Sequence, residues 1–376
     1  MKRMKIINAK LLKPFVGNTA LVRIDLNIDS STNEGLFRLK SVLPTLELLI
    51  KQNIRVILVS HKGRPDGKVV KKLSLKPFAE IFEDALGTQV DFISSLDLDT
   101  IKEKLDDSDA QVILLENIRF LKGEEQNDQA LAKQLASLGG LYINDAFAVS
   151  HRAHASVASL PKFLPSFAGL GLAKEIKNLT LKKKPAHPFI LIVGGAKVSD
   201  KLPIVQKFEK VISAVLLGGG AANTVLAAEG IPMGKSLYEK DALALAKHYA
   251  FSSIIETPLD FAESKGQILD IGPKTIKLYS ALIKEAGTIV WSGPMGRFEE
   301  KGFEKGTKAI WKAVLEKSIR DLSVKIIVGG GETISSFCLL PKTSCSVPEN
   351  IFFSTGGGAM LEFLSGKKLP GIEALK

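Results

Sequence analysis

Short, continuously apolar segments alternate along this chain with longer segments of helical periodicity. The apolar segments predict strands at residues 20–26, 54–60, 111–115, 189–193, 214–217, 288–291 and 325–328. Several are apolar throughout, which is typical of strands buried on both faces of a parallel sheet. Helical spacing predicts helices at residues 42–51, 74–86, 128–138 and 170–181. Repeated strand–helix units of this kind indicate an α/β fold with crossover connections.

A proline and a glycine help to place the ends of two of these helices. Pro44 lies in the first turn of the helix predicted at 42–51, where its missing N–H removes no intrahelical hydrogen bond. Gly87 is expected to end the helix predicted at 74–86.

The chain changes character near its midpoint. The amphipathic helix predicted at 170–181 is followed by three lysines and two prolines before a strand starts at Phe189. A chain of 376 residues is too long for one ordinary core and suits two domains. We therefore predict domains at about 1–169 and 170–364, with a linking helix at about 170–184.

Composition narrows the class of protein without identifying it. Apolar residues make up 45% and charged residues 24%, as in a globular protein. No apolar run reaches the ~18 to 20 residues that a membrane helix needs, and no secretory signal is recognisable. Cys338 and Cys345 are expected to be free thiols, so the cytoplasm is the expected location. The net charge of +11 attracts anions, but nucleic acid, anionic lipid and phosphorylated metabolites all fit it.

Glycine clusters follow four predicted strands in the second half of the chain. They are Gly194 with Gly195, and the runs 218–220, 329–331 and 356–358. Ligands of parallel α/β sheets bind beyond the carboxyl ends of the strands, where glycine lets backbone N–H groups approach a phosphate. One such cluster is best explained as a turn, but four at one sheet edge indicate a phosphate site.

Neither of the common nucleotide-binding motifs is present. No G-x-G-x-x-G sequence follows a strand. Residues 230–236 resemble a Walker A loop but are one residue short and follow a helix, so Lys235 is interpreted as a surface or loop lysine.

Two lysines follow the first glycine cluster. Lys197 and Lys201 are four residues apart and would share one face of a helix that starts after Gly195. Two ammonium groups at a helix N-terminus would bind phosphates, whereas the alternative is two solvated lysines on an exposed helix.

The first half carries a different set of polar residues near predicted strand ends. They are Asp25, Asn27, Arg38, His61, Arg64, Arg119 and Arg152. Guanidinium groups match phosphate and carboxylate bidentately, so four arginines near strand ends indicate a small polyanionic ligand. Taken singly, each arginine is better explained as a surface residue or ion-pair partner, and His61 as a structural histidine.

A set of segments spread over nearly the whole chain is distinctive when taken in order: residues 22–27, 60–67, 115–120, 144–147, 151–156, 194–201, 270–273, 291–299, 329–333 and 354–358. Through these segments the sequence resembles the phosphoglycerate kinase family. Each is weak alone, and the ordered set is specific. The resemblance implies two doubly wound, Rossmann-like domains joined by a helix, with about 365–376 packing back on the first domain.

The resemblance also implies a reaction and its ligands. The family transfers a phosphoryl group between 1,3-bisphosphoglycerate and ADP, giving 3-phosphoglycerate and ATP, with Mg²⁺. The seven polar residues of the first half would bind 3-phosphoglycerate. Nucleotide would be bound by Gly195, Lys197, Lys201, Gly218, Gly219, Ser292, Pro294, Glu299, Gly330, Gly331, Glu332 and Thr333. Lys197, Arg38, Gly330 and Gly331 would stabilise the transferring group, and Glu332 would contact the metal.

Three positions depart from the family pattern. Ser292 replaces the usual asparagine, Glu332 the usual metal-binding aspartate, and Arg297 a small apolar residue. Glutamate still offers oxygen to a hard cation, although its side chain is one methylene longer.

Two other functions are weighed against the kinase. A dehydrogenase shares the fold class but needs the missing glycine motif. A nucleic-acid-binding module would use the positive charge but needs a basic stripe or an aromatic platform, neither of which the pattern shows. A monomer that binds small molecules, not nucleic acid or membrane, is expected. Phosphoryl transfer to a carboxylate needs no general base, so the absence of a catalytic triad is consistent with the kinase.

Overall fold

The computed structural model describes residues 4–29, 32–182, 184–340 and 347–376, so Cys345 lies outside the described residues. The chain forms two compact units. Unit 1 comprises Met1–Lys177 and Lys368–Lys376, and unit 2 comprises Asn178–Lys367. The C-terminal segment therefore belongs to the first unit.

Unit 1 contains a parallel sheet of six strands in the order β3-β4-β2-β1-β5-β6. Its strands are β1 (Thr19–Arg23), β2 (Arg55–Val59), β3 (Val90–Ile93), β4 (Val112–Leu115), β5 (Leu141–Asn144) and β6 (Ser166–Ala168). Strands β1 and β5 are neighbours in the sheet. The strand that follows β1 in the chain, β2, lies on one side of this pair, and the strand that follows β5, β6, lies on the other, so the direction of the strand order reverses between β1 and β5. Ligand sites of parallel α/β sheets lie beyond such a reversal.

Most helices of unit 1 lie between these strands along the chain. The helices are α1 (Ala9–Leu12), α2 (Asn33–Lys51), α3 (Pro77–Leu86), α4 (Leu98–Asp106), α5 (Lys122–Glu125), α6 (Gln129–Ala136), α7 (Leu170–Leu179) and, near the C-terminus, α15 (Pro370–Glu373). A single π-helical turn, Ala155–Ser159, precedes β6. Helix α3 ends at Gly87, whose φ of 63° is left-handed.

Helix α2 is longer than predicted, and the interpretation of Pro44 is wrong. Thr32 Oγ1 caps the helix by accepting from the Gly35 N–H at 3.0 Å, so Pro44 lies in the helix interior. An interior proline costs about 3 kcal/mol. Burial of Leu39, Leu46 and other apolar residues along α2 offsets that cost.

Asp145 caps the start of α7. Its Oδ1 accepts from the Leu172 N–H at 2.6 Å, and Thr45 Oγ1 accepts from the Leu170 N–H at 2.8 Å. Asp145 is buried, and its Oδ2 has no hydrogen-bond partner. Burial raises the pKa of its carboxyl to about 7.

The C-terminal segment is bonded to the strand-end region of unit 1. Gly371 N–H donates to the Ser150 carbonyl at 2.9 Å, and Asn144 Nδ2 donates to the Gly371 carbonyl at 3.2 Å. Ile372 and Leu375 are buried.

Unit 2 repeats the architecture with a parallel sheet in the order β14-β13-β12-β7-β8-β9 and a separate antiparallel hairpin, β10-β11. Its strands are β7 (Phe189–Val193), β8 (Ala214–Leu217), β9 (Ile255–Glu256), β10 (Phe261–Ser264), β11 (Gln267–Ile271), β12 (Thr288–Ser292), β13 (Lys325–Gly329) and β14 (Ile351–Ser354). Its helices are α8 (Leu202–Phe208), α9 (Gly219–Ala228), α10 (Leu243–Lys247), α11 (Pro273–Glu285), α12 (Lys305–Arg320), α13 (Gly331–Ser335) and α14 (Gly357–Leu364).

The predicted α/β class with two parallel sheets is confirmed. The glycine clusters follow β7, β8, β13 and β14, which end at one edge of the unit 2 sheet because the strands are parallel. Within the described part of the chain, no helix combines the length and apolar character needed to cross a bilayer. Cys338 is exposed and is not in a disulfide.

Candidate active site

A polar cluster lies beyond β1 and β2 of unit 1. Asp25 follows β1 and His61 follows β2, while Arg38 comes from α2. Arg38 Nη1 donates to Asp25 Oδ2 at 2.9 Å, and His61 Nδ1 lies 3.7 Å from Asp25 Oδ1. The structure thus brings together three of the residues predicted from sequence.

Asn27 and Arg119 contact one glycine in the loop after β2. Asn27 Oδ1 accepts from the Gly63 N–H at 2.8 Å, and Arg119 Nη1 donates to the Gly63 carbonyl at 2.6 Å. Arg119 is buried, its Nε lies 3.3 Å from Glu125 Oε1, and its Nη2 has no hydrogen-bond partner. Burial lowers the pKa of Arg119 to about 10, although the nearby Glu125 opposes the shift.

The two remaining arginines differ in exposure. Arg152 is half-buried, and its charge helps to lower the pKa values of His61, His154 and Arg119. Arg64 is exposed in the loop after β2.

Burial, followed by the charges of neighbouring arginines, disfavours protonation of the histidines in this cluster. It lowers the pKa of His61 well below its ordinary value and that of His154 to about 4. A cluster in which the histidines are kept neutral and a buried arginine nitrogen, Arg119 Nη2, has no protein partner is suited to an anionic ligand.

Sequence analysis misses three buried residues behind this cluster. Arg23, the last residue of β1, is fully buried and contacts His61 and Ser156. Ser156 in turn hydrogen-bonds to the buried carboxylate of Glu124. An arginine inside an otherwise apolar strand is the one signal in the sequence that could have drawn attention to Arg23.

In unit 2, the loops after β7 and β12 are bonded to one another. Gly194 N–H donates to the Ser292 carbonyl at 2.9 Å, and Gly195 N–H donates to the Pro294 carbonyl at 2.8 Å. A Cβ on Gly194 would lie only 1.9 Å from the Pro294 carbonyl oxygen, so this approach requires glycine.

These loops border a cavity of about 510 Å³. Five of the residues predicted to bind nucleotide line it: Gly195, Gly219, Pro294, Glu299 and Glu332. Lys235 and Arg297 line it as well, so Lys235 borders the candidate site although residues 230–236 are not a Walker A loop. Gly218 is packed against Met295, where a Cβ would lie 2.8 Å from the Met295 Cα.

The two lysines do not form the predicted clamp on one helix face. Helix α8 begins only at Leu202, with Pro203 in its first turn, so Lys197 precedes the helix and is exposed. Lys201 is buried and its Nζ donates to the Lys197 carbonyl at 2.7 Å. The prediction fails because proline fixes the first turn of the helix. Burial lowers the pKa of Lys201, and the nearby carboxylates of Asp200, Glu332 and Glu239 oppose that shift.

The segment after β13 starts helix α13. Gly330, with a φ of 97°, precedes the helix, and Gly331 is its first residue. A Cβ on Gly330 would lie 3.3 Å from Thr333 Oγ1 and 3.7 Å from Ser292 Oγ, which places both hydroxyls beside this turn. Thr333 Oγ1 accepts from the Gly293 N–H at 2.7 Å.

Glu332 lies near Lys201 and Gly195. A Cβ on Gly195 would lie 3.8 Å from Lys201 Nζ and 3.9 Å from Glu332 Oε2. The side chain of Glu332 is exposed.

The fold and these geometries define a parallel α/β protein of two units. Unit 1 has a cationic cluster beyond the ends of its strands, and unit 2 has a glycine-lined cavity beyond the ends of its own strands. The family model for phosphoglycerate kinase matches residues 12–367. The phosphoglycerate kinase of Koribacter versatilis is 41% identical to the chain, over 94% of this chain and 95% of its own length. The phosphoglycerate kinase of Leptospira biflexa is 39% identical, over 96% of each chain. The chain therefore belongs to the phosphoglycerate kinase family, and its function is that of a phosphoglycerate kinase, a transferase of glycolysis.

Solved structures agree with this assignment. The phosphoglycerate kinase of Coxiella burnetii is 34% identical with a TM-score of 0.76, over 95% of this chain and 96% of that one. The enzyme from Pyrococcus horikoshii OT3 is 28% identical with a TM-score of 0.81, over 96% of each chain. The family match decides in favour of the kinase over the dehydrogenase and nucleic-acid hypotheses.

Proposed function

We propose that unit 1 binds 3-phosphoglycerate or 1,3-bisphosphoglycerate and that unit 2 binds ADP or ATP, with reversible phosphoryl transfer between them. The observation that carries the first half of this proposal is the buried guanidinium of Arg119, whose Nη2 has no protein partner. A buried cationic donor without an acceptor is costly unless a ligand supplies the acceptor. Asp25, Asn27, Arg38, His61, Arg64 and Arg152 complete this proposed substrate site.

The glycine-lined cavity supports the nucleotide half of the proposal. Backbone N–H groups and the start of a helix favour phosphates, and Glu299 at the cavity wall would accept hydrogen bonds from a ribose. Lys201 and Lys197 would contribute positive charge, and Ser292 and Thr333 would contribute hydroxyl groups that can hydrogen-bond to the phosphates. Gly218, Gly219 and Pro294 would shape the cavity.

Magnesium fits this site as an ion that arrives with the nucleotide. Among the described residues, no group of three or more His, Cys, Asp or Glu side chains could hold a metal by itself. Mg²⁺ usually takes one or two carboxylates and completes its shell with phosphate oxygens and water. Glu332, exposed beside the α13 start, would supply that carboxylate. When bound, the ion would neutralise phosphate charge.

Transfer requires positioning and charge stabilisation from the protein. We assign these roles to Lys197, Arg38 and the backbone N–H groups of Gly330 and Gly331. No proton has to be removed from the acceptor carboxylate or from ADP, so we assign no general base. We also propose that the enzyme works as a monomer, because each proposed ligand set lies within one unit of one chain. We propose the cytoplasm as its location, because thiols such as that of Cys338 stay reduced there.

A coupled assay with ATP and 3-phosphoglycerate, with and without Mg²⁺, tests this proposal. We expect activity only with the metal. Glu332→Gln should raise the Mg²⁺ concentration needed for half-maximal activity, whereas Glu316→Gln on the exposed face of α12 should not. An unchanged metal requirement in Glu332→Gln would show that another group, or water alone, holds the ion.

A further inference from the structure

Arg23 uses all three of its side-chain nitrogens in contacts within unit 1. Its Nε donates to Ser156 Oγ at 2.8 Å, and its Nη1 donates to the Ile24 carbonyl. Its Nη2 lies 3.2 Å from His61 Nδ1. Because Arg23 is fully buried, it is placed to hold His61 in position but not to exchange partners with solvent.

Ser156 and Glu124 fix the position of the Arg23 guanidinium. Ser156 Oγ donates to Glu124 Oε1 at 2.6 Å, and the Ser156 N–H donates to Glu124 Oε2 at 2.8 Å. Glu124 and Ser156 are both fully buried. Since Ser156 directs its proton to Glu124, its oxygen lone pairs remain available to accept from Arg23. The result is a continuous buried chain of hydrogen bonds from Glu124 through Arg23 to His61.

The contact between Arg23 and His61 determines which imidazole nitrogen carries the proton. A guanidinium has donors and no acceptor, so His61 Nδ1 must accept and must therefore be unprotonated. A neutral imidazole whose Nδ1 accepts has its proton on Nε2, and an imidazolium would place a proton on both nitrogens.

The other charged groups around His61 leave this tautomer favoured. Asp25 would draw a proton to Nδ1, but its Oδ1 is 3.7 Å away, beyond hydrogen-bond distance, and its Oδ2 is bonded to Arg38. Arg119, Arg152 and His154 also lie near His61, and each disfavours a positive charge on it. Burial lowers the pKa of His61 in the same direction.

We propose that Arg23 is a positioning residue that holds His61 as a neutral imidazole protonated on Nε2, so that His61 enters the substrate site as a hydrogen-bond donor and not as a cation. The role toward 3-phosphoglycerate rests on the proposed function, whereas the tautomer does not. The positive charge that meets the substrate then comes from arginines, and the His61 donor does not change over the pH range in which an ordinary histidine titrates.

Nitrogen NMR of the histidine side chains in the full-length, ligand-free enzyme tests the proposal directly. His61 signals are assigned by their loss in His61→Ala. We expect an unprotonated Nδ1 and a protonated Nε2 from about pH 6 to about pH 8, the range in which an ordinary histidine titrates. An imidazolium at about pH 7, or a proton on Nδ1, would overturn the proposal without any further variant.

Substitutions show whether Arg23 causes this state. Arg23→Lys keeps the positive charge but replaces the three guanidinium nitrogens with one ammonium group, and Ser156→Ala removes the hydroxyl that accepts from Arg23 Nε. In both variants we expect a mixture of His61 tautomers and a His61 pKa closer to its ordinary value. Arg55→Lys is the matched control, because Arg55 is the first residue of neighbouring β2 and its guanidinium binds the carbonyls of Ala110, Leu105 and Ser108. If the His61 signals are unchanged in folded Arg23→Lys and Ser156→Ala, Arg23 is not the positioning residue.

Calorimetry separates this inference from the proposed function. We expect 3-phosphoglycerate to bind Arg23→Lys roughly 10-fold more weakly than the wild-type enzyme. We also expect the affinity of this variant for 3-phosphoglycerate to change with pH as His61 titrates, which the affinity of the wild-type enzyme should not do. If His61→Ala binds 3-phosphoglycerate normally while the wild-type tautomer is as expected, the substrate assignment fails and the tautomer stands. If binding depends on His61 but Nδ1 is protonated, the substrate assignment stands and this inference fails.

Discussion

Two buried arginines of unit 1, Arg23 and Arg119, differ in how much of their hydrogen-bonding capacity the protein itself uses. Every side-chain nitrogen of Arg23 has a protein partner. Arg119 contacts the Gly63 carbonyl and Glu125, yet one terminal nitrogen has no partner. Because an unused buried donor is costly, Arg119 is suited to bind a ligand and Arg23 to position its neighbours.

The role of Lys197 can be tested by its removal. In Lys197→Ala we expect kcat and kcat/KM to fall together by roughly 100-fold or more, because its charge should meet the transferring group mainly in the transition state. Steady-state kinetics against both substrates measures this, with the exposed lysine variant Lys210→Ala as a control. A near-normal kcat with only a raised KM would contradict the assignment.

Arg152 and Arg64 test the division of ligands between the units. Either Arg→Ala variant should weaken binding of 3-phosphoglycerate about 10-fold or more while leaving ATP binding unchanged, since charge-assisted contacts are lost in unit 1 alone. Calorimetry with each ligand separately decides the point. Equal losses for the two ligands would argue against separate sites.

Among the secondary-structure elements, central strands are easier to predict than edge strands. Strands such as Val112–Leu115 are buried throughout, which excludes polar residues and makes them recognisable in the sequence. Val90–Ile93 and Ser166–Ala168 were not predicted, and they form the two edges of their sheet, where some positions are only half-buried. Leu141–Asn144 was not predicted either, although it is a central strand that is buried throughout. The apolar pattern therefore identifies most central strands and misses the edge strands of this sheet.

The candidate site divides in a similar way. Residues directly after strands, such as Asp25 and Gly195, could be found because parallel topology gathers strand ends at one edge. The contact of Arg23 with Ser156 could not, because 133 residues separate them along the chain. Contacts of this kind depend on tertiary packing, which cannot be inferred from the pattern of neighbouring residues in the sequence.

Helix α7 should show a pH dependence that originates in Asp145. An acid whose pKa is raised by folding adds stability that is complete below its unfolded value, near pH 4, and is lost as the pH rises through about 7. Asp145→Asn removes this titration. We therefore expect α7 amides of the wild-type enzyme to lose protection relative to the variant between about pH 4 and about pH 7.

Hydrogen exchange followed by mass spectrometry measures this difference, and comparison at each pH cancels the intrinsic exchange rate. Asp128→Asn is the control, since Asp128 also caps a helix, α6, but is exposed. A wild-type-to-variant ratio that does not change with pH would show that the Asp145 carboxyl does not titrate in this range.

At the scale of the whole molecule, the two proposed ligand sets belong to different units. In-line transfer needs reacting atoms within roughly 3 to 3.5 Å. We therefore expect the enzyme to close about residues 168–174 and the C-terminal segment when both substrates bind, excluding water as it does so. Small-angle scattering should give a smaller radius of gyration with both ligands than with either alone. Equal radii for the free, singly bound and doubly bound forms would rule out a large hinge motion.

The contribution of residues Lys368–Lys376 to unit 1 has a consequence for the order of events during synthesis. A ribosome makes the first part of unit 1, then all of unit 2, and only afterwards the segment that bonds to Ser150 and Asn144. Nascent chains generally fold from the N-terminus as they emerge. Here the first unit to appear lacks its final piece until all of unit 2 has been translated, so unit 1 has to wait for its completion while the other unit is made.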